Sequence, residues 1–128
     1  MNTAILGLGS NIEPQKNIHL AKKILSEKFN VLNESKFVLT KPVGIVDQPD
    51  FINGALLVQT QADYDELRSC LKDIECQLGR SHDSVKSYGP RIIDIDILVW
   101  NDKVIDRDFY EREFVRNFVL ELSPAVQY

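Results

Sequence analysis

Residues 92–100, IIDIDILVW, constrain the fold more than any other stretch of the chain. Ile93, Ile95, Ile97 and Val99 alternate with Asp94, Asp96, Leu98 and Trp100, and a period of two describes a β-strand with one face buried. Aspartate is a poor strand former. Two of them at i and i+2 project from the same face, where their charges repel. The isoleucine side must therefore pack on a core, and the other side must tolerate or use two carboxylates. One face of an antiparallel sheet often lies in water, where acidic residues need no function. The pair equally fits a site, because hard divalent cations prefer carboxylate oxygen and Mg²⁺ binds through one or two carboxylates plus substrate phosphates.

The rest of the chain supplies that strand with partners. Residues 2–8 form a short apolar strand ending in GLGSN, and Pro14 then suits a first helical turn. Ile18, Ala21, Leu25 and Phe29 mark one stripe of an amphipathic helix. Residues 31–39 read as a weakly patterned strand, residues 40–50 as a proline- and glycine-bearing loop, and FINGALLVQT (51–60) as a further strand. A second helix is expected over about 63–78. Asp63 and Glu66 form its capping box, Leu67, Cys70, Leu71, Ile74 and Leu78 its buried stripe, and Gly79 its stop. A polar loop, RSHDSVKSYGP, leads into the aspartate strand, and a short helix is expected near 108–117. This order predicts an α+β, ferredoxin-like βαββαβ sandwich, its antiparallel sheet carrying two helices on one face.

The 128 residues suit a single domain, 1–128, with one core. A net charge of -4 argues against non-specific nucleic-acid binding. No apolar run approaches the ~20 residues of a membrane span, and the first residues do not read as a signal peptide. Cys70 and Cys76 sit on one helix, about 9 Å apart along its axis. That is beyond disulfide reach, and free thiols fit a cytoplasmic protein.

On the expected helix-free face, Phe51, Asn53, Ala55 and Leu57 stand beside Asp94, Asp96, Leu98 and Trp100: an aromatic, an amide and two carboxylates together. Arg80 and Arg91 flank the preceding loop, and arginine forks match phosphate oxygens. Lys86 reads as a surface charge. Gly7-Leu8-Gly9 is neither a dinucleotide fingerprint nor a P-loop, and a tight strand-to-helix turn accounts for it. His19 reads as surface. His82, in the polar loop, could meet an anion. Neither a zinc site nor a Ser/His/Asp arrangement is legible.

Taken together, LGLGSN, DQPDFING, IECQLGR and YGPRIIDIDILV resemble, in order, the motifs of the 6-hydroxymethyl-7,8-dihydropterin pyrophosphokinase family of folate biosynthesis. A fainter similarity lies in REFVRNFVLELSP. The resemblance implies Mg²⁺-dependent transfer of pyrophosphate from ATP to the pterin's hydroxymethyl group, releasing AMP. It implies two Mg²⁺ ions on Asp94 and Asp96, with Arg91 and Arg80 assisting catalysis. It places Thr40, Pro42, Val43, Phe51, Asn53 and Phe114 at the pterin. Glu75, Arg80, Tyr88, Arg91, Ile97 and Arg112 fall on the ATP side. The expected partners are these small molecules, bound by a monomer, with neither nucleic acid nor membrane.

Three features depart from the family pattern. His82 stands where a second loop arginine is usual, Tyr88 replaces a tryptophan, and the His-Pro segment after the last strand is missing. They predict a looser grip on ATP. An alternative reading keeps the fold and the pterin or nucleotide binding without turnover. A regulatory ferredoxin-like domain unrelated to pterin is disfavoured by Asn53 and the aspartates together.

Overall fold

The computed structural model describes residues 1–42, 47–79 and 92–128. β1 (Asn2–Ser10) leads through a left-handed Glu13, φ 40°, into α1 (Pro14–Lys28). That turn is held from both sides: Ser10 Oγ and Asn17 Nδ2 donate to the Ile12 carbonyl at 3.1 and 2.5 Å. β2 (Asn30–Glu34), β3 (Val38–Thr40) and β4 (Phe51–Thr60) follow. α2 (Tyr64–Gln77) has the expected capping box, with Glu66 N–H donating to Asp63 Oδ1 at 2.9 Å and Asp63 N–H to Glu66 Oε1 at 3.1 Å. Gly79, at φ 104°, leaves the helix in a conformation that favours glycine. β5 (Asp94–Trp100) and β6 (Lys103–Val104) form a hairpin, and α3 (Asp108–Glu111) and α4 (Glu113–Leu122) close the fold.

The strands run β2-β4-β1-β5-β6, with β3 also on β4, and every pair is antiparallel. β1 and β2 are therefore parallel, with β4 slotted between them, and β5 flanks β1 on its other side. This is the expected βαββαβ order, a split βαβ arrangement. α1 and α2 share one face, where Ile18, Ala21 and Leu25 meet Leu67, Leu71 and Ile74 over Leu6, Leu8, Leu56, Val58, Ile95 and Ile97.

Several details differ from expectation. The strand expected at 31–39 is two strands broken at Ser35–Phe37. Ser35 bridges the break, its N–H donating to the Ala55 carbonyl and its Oγ accepting from Ala55 N–H. The expected helix at 108–117 is two helices, divided where Arg112 adopts extended backbone. The second sheet face is not free of helices. Phe109, Val115, Phe118, Val119 and Leu122 pack there on Ile5, Ala55, Leu98 and Val99. A β-bulge explains why Val99 belongs to this second core while Trp100 packs against the first. Ile5 pairs with Val99 and Leu6 with Ile97, so Leu98 is the extra residue and the alternation inverts beyond it.

Candidate active site

The second face is covered at one end by α4, and a cavity of about 210 Å³ opens at the other. Its floor is set by register. Gly9 lies between Asn53 on β4 and Asp94 on β5, and Gly7 between Ala55 and Asp96. With no side chains on Gly7 and Gly9, the functional groups of both neighbouring strands overlook a depression. A side chain at Gly9 would have to move the Asn53 amide, since a Cβ there would lie 2.3 Å from Asn53 Oδ1. The turn expected at Gly7–Gly9 is in fact strand, and both glycines line the cavity. Their spacing of two within an apolar strand was the available signal.

Around this floor stand Thr40, Phe51, Asn53, Asp94, Asp96 and Phe114. β3 brings Thr40 opposite Phe51, and Asn53 Nδ2 donates to Thr40 Oγ1. Phe114 arrives from α4, with its ring 5.9 Å from that of Phe118. Arg112, expected on the ATP side, lines this cavity, 3.7 Å from Asp108. Pro42 is half-buried beyond β3 and lines neither this cavity nor the groove described next. Val43, Arg80, His82, Lys86, Tyr88 and Arg91 lie outside the described residues.

A second, polar groove of about 220 Å³ runs between α2 and the edge of β5. β6 meets β5 at Val99 and Trp100, and Asp94, Ile95, Asp96 and Ile97 farther along β5 line the groove. Glu75 and Ile97, which the resemblance puts on the ATP side, line it together with Tyr64, Arg68, Lys72 and Asp106. Glu75 is buried, and its Oε2 accepts from Ile95 N–H at 2.7 Å, tying α2 to β5. Asp94 and Asp96 line both hollows.

The electrostatics follow from that position. Asp96 is open at the mouth, yet the surrounding walls exclude enough water to raise its carboxyl well above the usual range. Desolvation is the leading cause, followed by the charges of Asp94, Asp106, Glu75 and Asp108. A cation between the carboxylates would relieve this repulsion. Among the described residues no group of three or more His, Cys, Asp or Glu side chains is arranged to hold a metal alone. Two carboxylates on one face could hold a divalent cation whose remaining ligands come from elsewhere.

Residues 5–124 match the family described as 7,8-dihydro-6-hydroxymethylpterin-pyrophosphokinase. The chain belongs to this family. It is 33% identical over 126 residues to the 2-amino-4-hydroxy-6-hydroxymethyldihydropteridine pyrophosphokinase of Haemophilus influenzae, covering 90% of this chain and 78% of that protein. The Bacillus subtilis protein of the same name is 32% identical over 137 residues, covering 98% and 81%. A mitochondrial folate synthesis bifunctional protein of Arabidopsis thaliana is 37% identical over 128 residues, and the match covers 22% of that longer protein. The pyrophosphokinase match takes in both hollows and the aspartates they share.

Proposed function

We propose that this chain transfers the pyrophosphoryl group of ATP to the hydroxymethyl oxygen of 6-hydroxymethyl-7,8-dihydropterin and releases AMP, as a step of folate biosynthesis. The observation that carries the reading is that Asp94 and Asp96 line two adjoining hollows of different character. One is walled by Phe51, Asn53 and Phe114, the other by charged side chains. At about 210 Å³ the first is smaller than a typical drug-sized site, which suits a compact bicyclic ring.

In this reading Phe51 and Phe114 stack on the pterin, and Asn53 pairs with the donor and acceptor edge of the heterocycle. The Asn53–Thr40 hydrogen bond fixes which way that amide faces. Gly7 and Gly9 let the ring approach the sheet. Asp94 and Asp96 would hold Mg²⁺, two ions by resemblance. Such ions, when bound, draw charge from the phosphate oxygens as phosphorus is attacked. Arg112 offers a guanidinium to the same oxygens, and Arg80 and Arg91 are assigned there by resemblance. The acceptor is an alcohol, so alignment and charge stabilisation carry the reaction and no protein nucleophile is needed. We place the chain in the cytoplasm as one domain acting as a monomer. The free thiols of Cys70 and Cys76 support the compartment, and one sheet shared by both cores supports the domain.

The test is incubation with ATP, Mg²⁺ and the hydroxymethyl pterin. AMP and pterin diphosphate should appear in equal amounts, and neither should form when the pterin is withheld. ADP in place of AMP would overturn the reaction type.

A further inference from the structure

Asn11 follows the last residue of β1 and is buried, although it belongs to neither core. A buried amide needs acceptors for its hydrogens. Asn11 Nδ2 donates to Gln48 Oε1 at 2.7 Å and to the Pro49 carbonyl at 3.2 Å. The backbone around Asn11 is held on both sides, because the Ile12 carbonyl accepts from Ser10 Oγ and from Asn17 Nδ2. The segment that accepts from it is built differently. Asp47, Pro49 and Asp50 are exposed, Gln48 is half-buried, and none of the four belongs to a core. Ser10 and Ile52 end the β1–β4 ladder, so Asn11 reaches past the ladder and closes its open end. Residues 48–50 lead directly into Phe51, the first residue of β4 and a wall of the cavity. Neither Asn11 nor Gln48 lines that cavity.

We propose that Asn11 is a positioning residue for the pterin: its amide clasps residues 48–49 to the β1–α1 turn and so holds Phe51 against the ring. The inference rests on the reaction proposed above. Strand ends open easily where few apolar contacts hold them, and the residues just before Phe51 supply none to a core. Thr40 is linked to the same end, since β3 pairs it with Phe51 and its Oγ1 accepts from Asn53. A displaced start of β4 would therefore disturb three groups assigned to the pterin. Asp94 and Asp96 lie on β5, across β1 from β4, so the clasp should act on pterin affinity and leave the aspartate wall in place. A role in stability alone would lower the melting temperature without moving pterin affinity.

The full chain is titrated with the hydroxymethyl pterin in the presence of Mg²⁺ and a non-hydrolysable ATP analogue, and pterin KM and kcat are read from AMP release. Asn11→Ala and Asn11→Asp should each weaken pterin binding and raise its KM by about five- to thirtyfold, with kcat within about threefold. The aspartate is isosteric, but it lacks the donors and sets a carboxylate against two acceptor oxygens. ATP KM should stay within about twofold in every variant. Gln48→Ala should cost about threefold in pterin affinity, while Gln48→Glu, which keeps the acceptor, should stay near the parent. Once Asn11 is alanine, removing Gln48 as well should add less than about twofold. Leu56→Ala, a core change, supplies the comparison for lost stability alone. Pterin affinity at the parent value in Asn11→Ala or Asn11→Asp, or equal losses for pterin and ATP, overturns the proposal.

The titration and the AMP assay separate this inference from the reaction. Pterin affinity that falls with Asn11 in a chain releasing no AMP would keep the clasp and overturn the reaction. AMP formation with unchanged pterin KM in the Asn11 variants would do the reverse. A parent chain that binds no pterin would overturn both.

Discussion

The two faces of this sheet are made by the same strands and do opposite things. Toward α1 and α2, β1 contributes Ala4, Leu6 and Leu8, and β5 contributes Ile95 and Ile97, all buried. Toward the other side the same strands present Gly7, Gly9, Asp94 and Asp96 before giving way to Ile5, Leu98 and Val99 under α4. One face spends its side chains on packing along its whole length. The second packs where a helix covers it and lines the cavity over the remainder. Stability and activity should therefore separate by face, one residue apart along a strand.

The largest effect should come from the aspartates. Asp94→Ala or Asp96→Ala removes a carboxylate from the shared wall, and a lost metal contribution of several kcal/mol means roughly a thousandfold or more in rate. Thermal stability should hold, because neither carboxylate belongs to a core. AMP release at millimolar Mg²⁺ together with a melting curve checks both halves. Near-normal kcat in either variant would remove that residue from the metal assignment.

On the opposite face the pattern should invert. Leu56 is fully buried among Leu6, Leu8 and the α1 and α2 stripes. Leu56→Ala should cost about 2–5 kcal/mol of stability, while KM for both substrates stays near the parent value at temperatures where the variant is folded. Urea midpoints measure the first and steady-state kinetics the second.

Asn53→Ala should act more narrowly still. It leaves pterin donors and acceptors unpaired at about 1–3 kcal/mol, so pterin KM rises roughly 5- to 150-fold with ATP little changed. Gly9→Ala should imitate it through geometry, because the new Cβ would displace the Asn53 amide. Equal losses for pterin and ATP would make Asn53 a framework residue, and a silent Gly9→Ala would show that the amide has room to shift.

Much of this arrangement was legible in the sequence, for reasons that differ by element. α2 announced itself because its signals are local: a capping box at Asp63 and Glu66, a stripe of 3.6 period and a stopping glycine. The aspartate strand was legible through its period, and Asn53 and Phe51 through theirs. The bulge at Leu98 was not, since an extra residue is specified by pairing with β1 rather than by β5 alone. α4's cover over the second face was missed for a related reason. Its apolar stripe was visible in principle, but which sheet face it would meet depends on the path of the chain after β6.

The smallest effect tests the acidic rim. Asp106 lines the groove, and its Oδ1 accepts from Asp108 N–H at 2.8 Å at the start of α3. Its carboxyl is raised above the ordinary value, first by burial and then by the charge of Asp108. The hydrogen bond from Asp108 and the charge of Arg112 oppose the shift. Because the folded chain holds this proton more tightly, both states are protonated below the unfolded carboxyl value of about 3.9, and ionisation has no effect there. As pH rises through the folded value, the unfolded chain ionises first and stability declines. Asp106→Asn keeps the acceptor oxygen for Asp108 and cannot ionise. Its stability relative to the parent, from urea unfolding in metal-free buffer, should therefore improve from pH 4 to pH 7 and be least favourable at the acid end. A difference that shrinks over the same range would mean that Asp106 is stabilised as the anion by neighbours, and that the rim is less crowded with negative charge than the arrangement of Asp94, Asp96 and Asp108 implies.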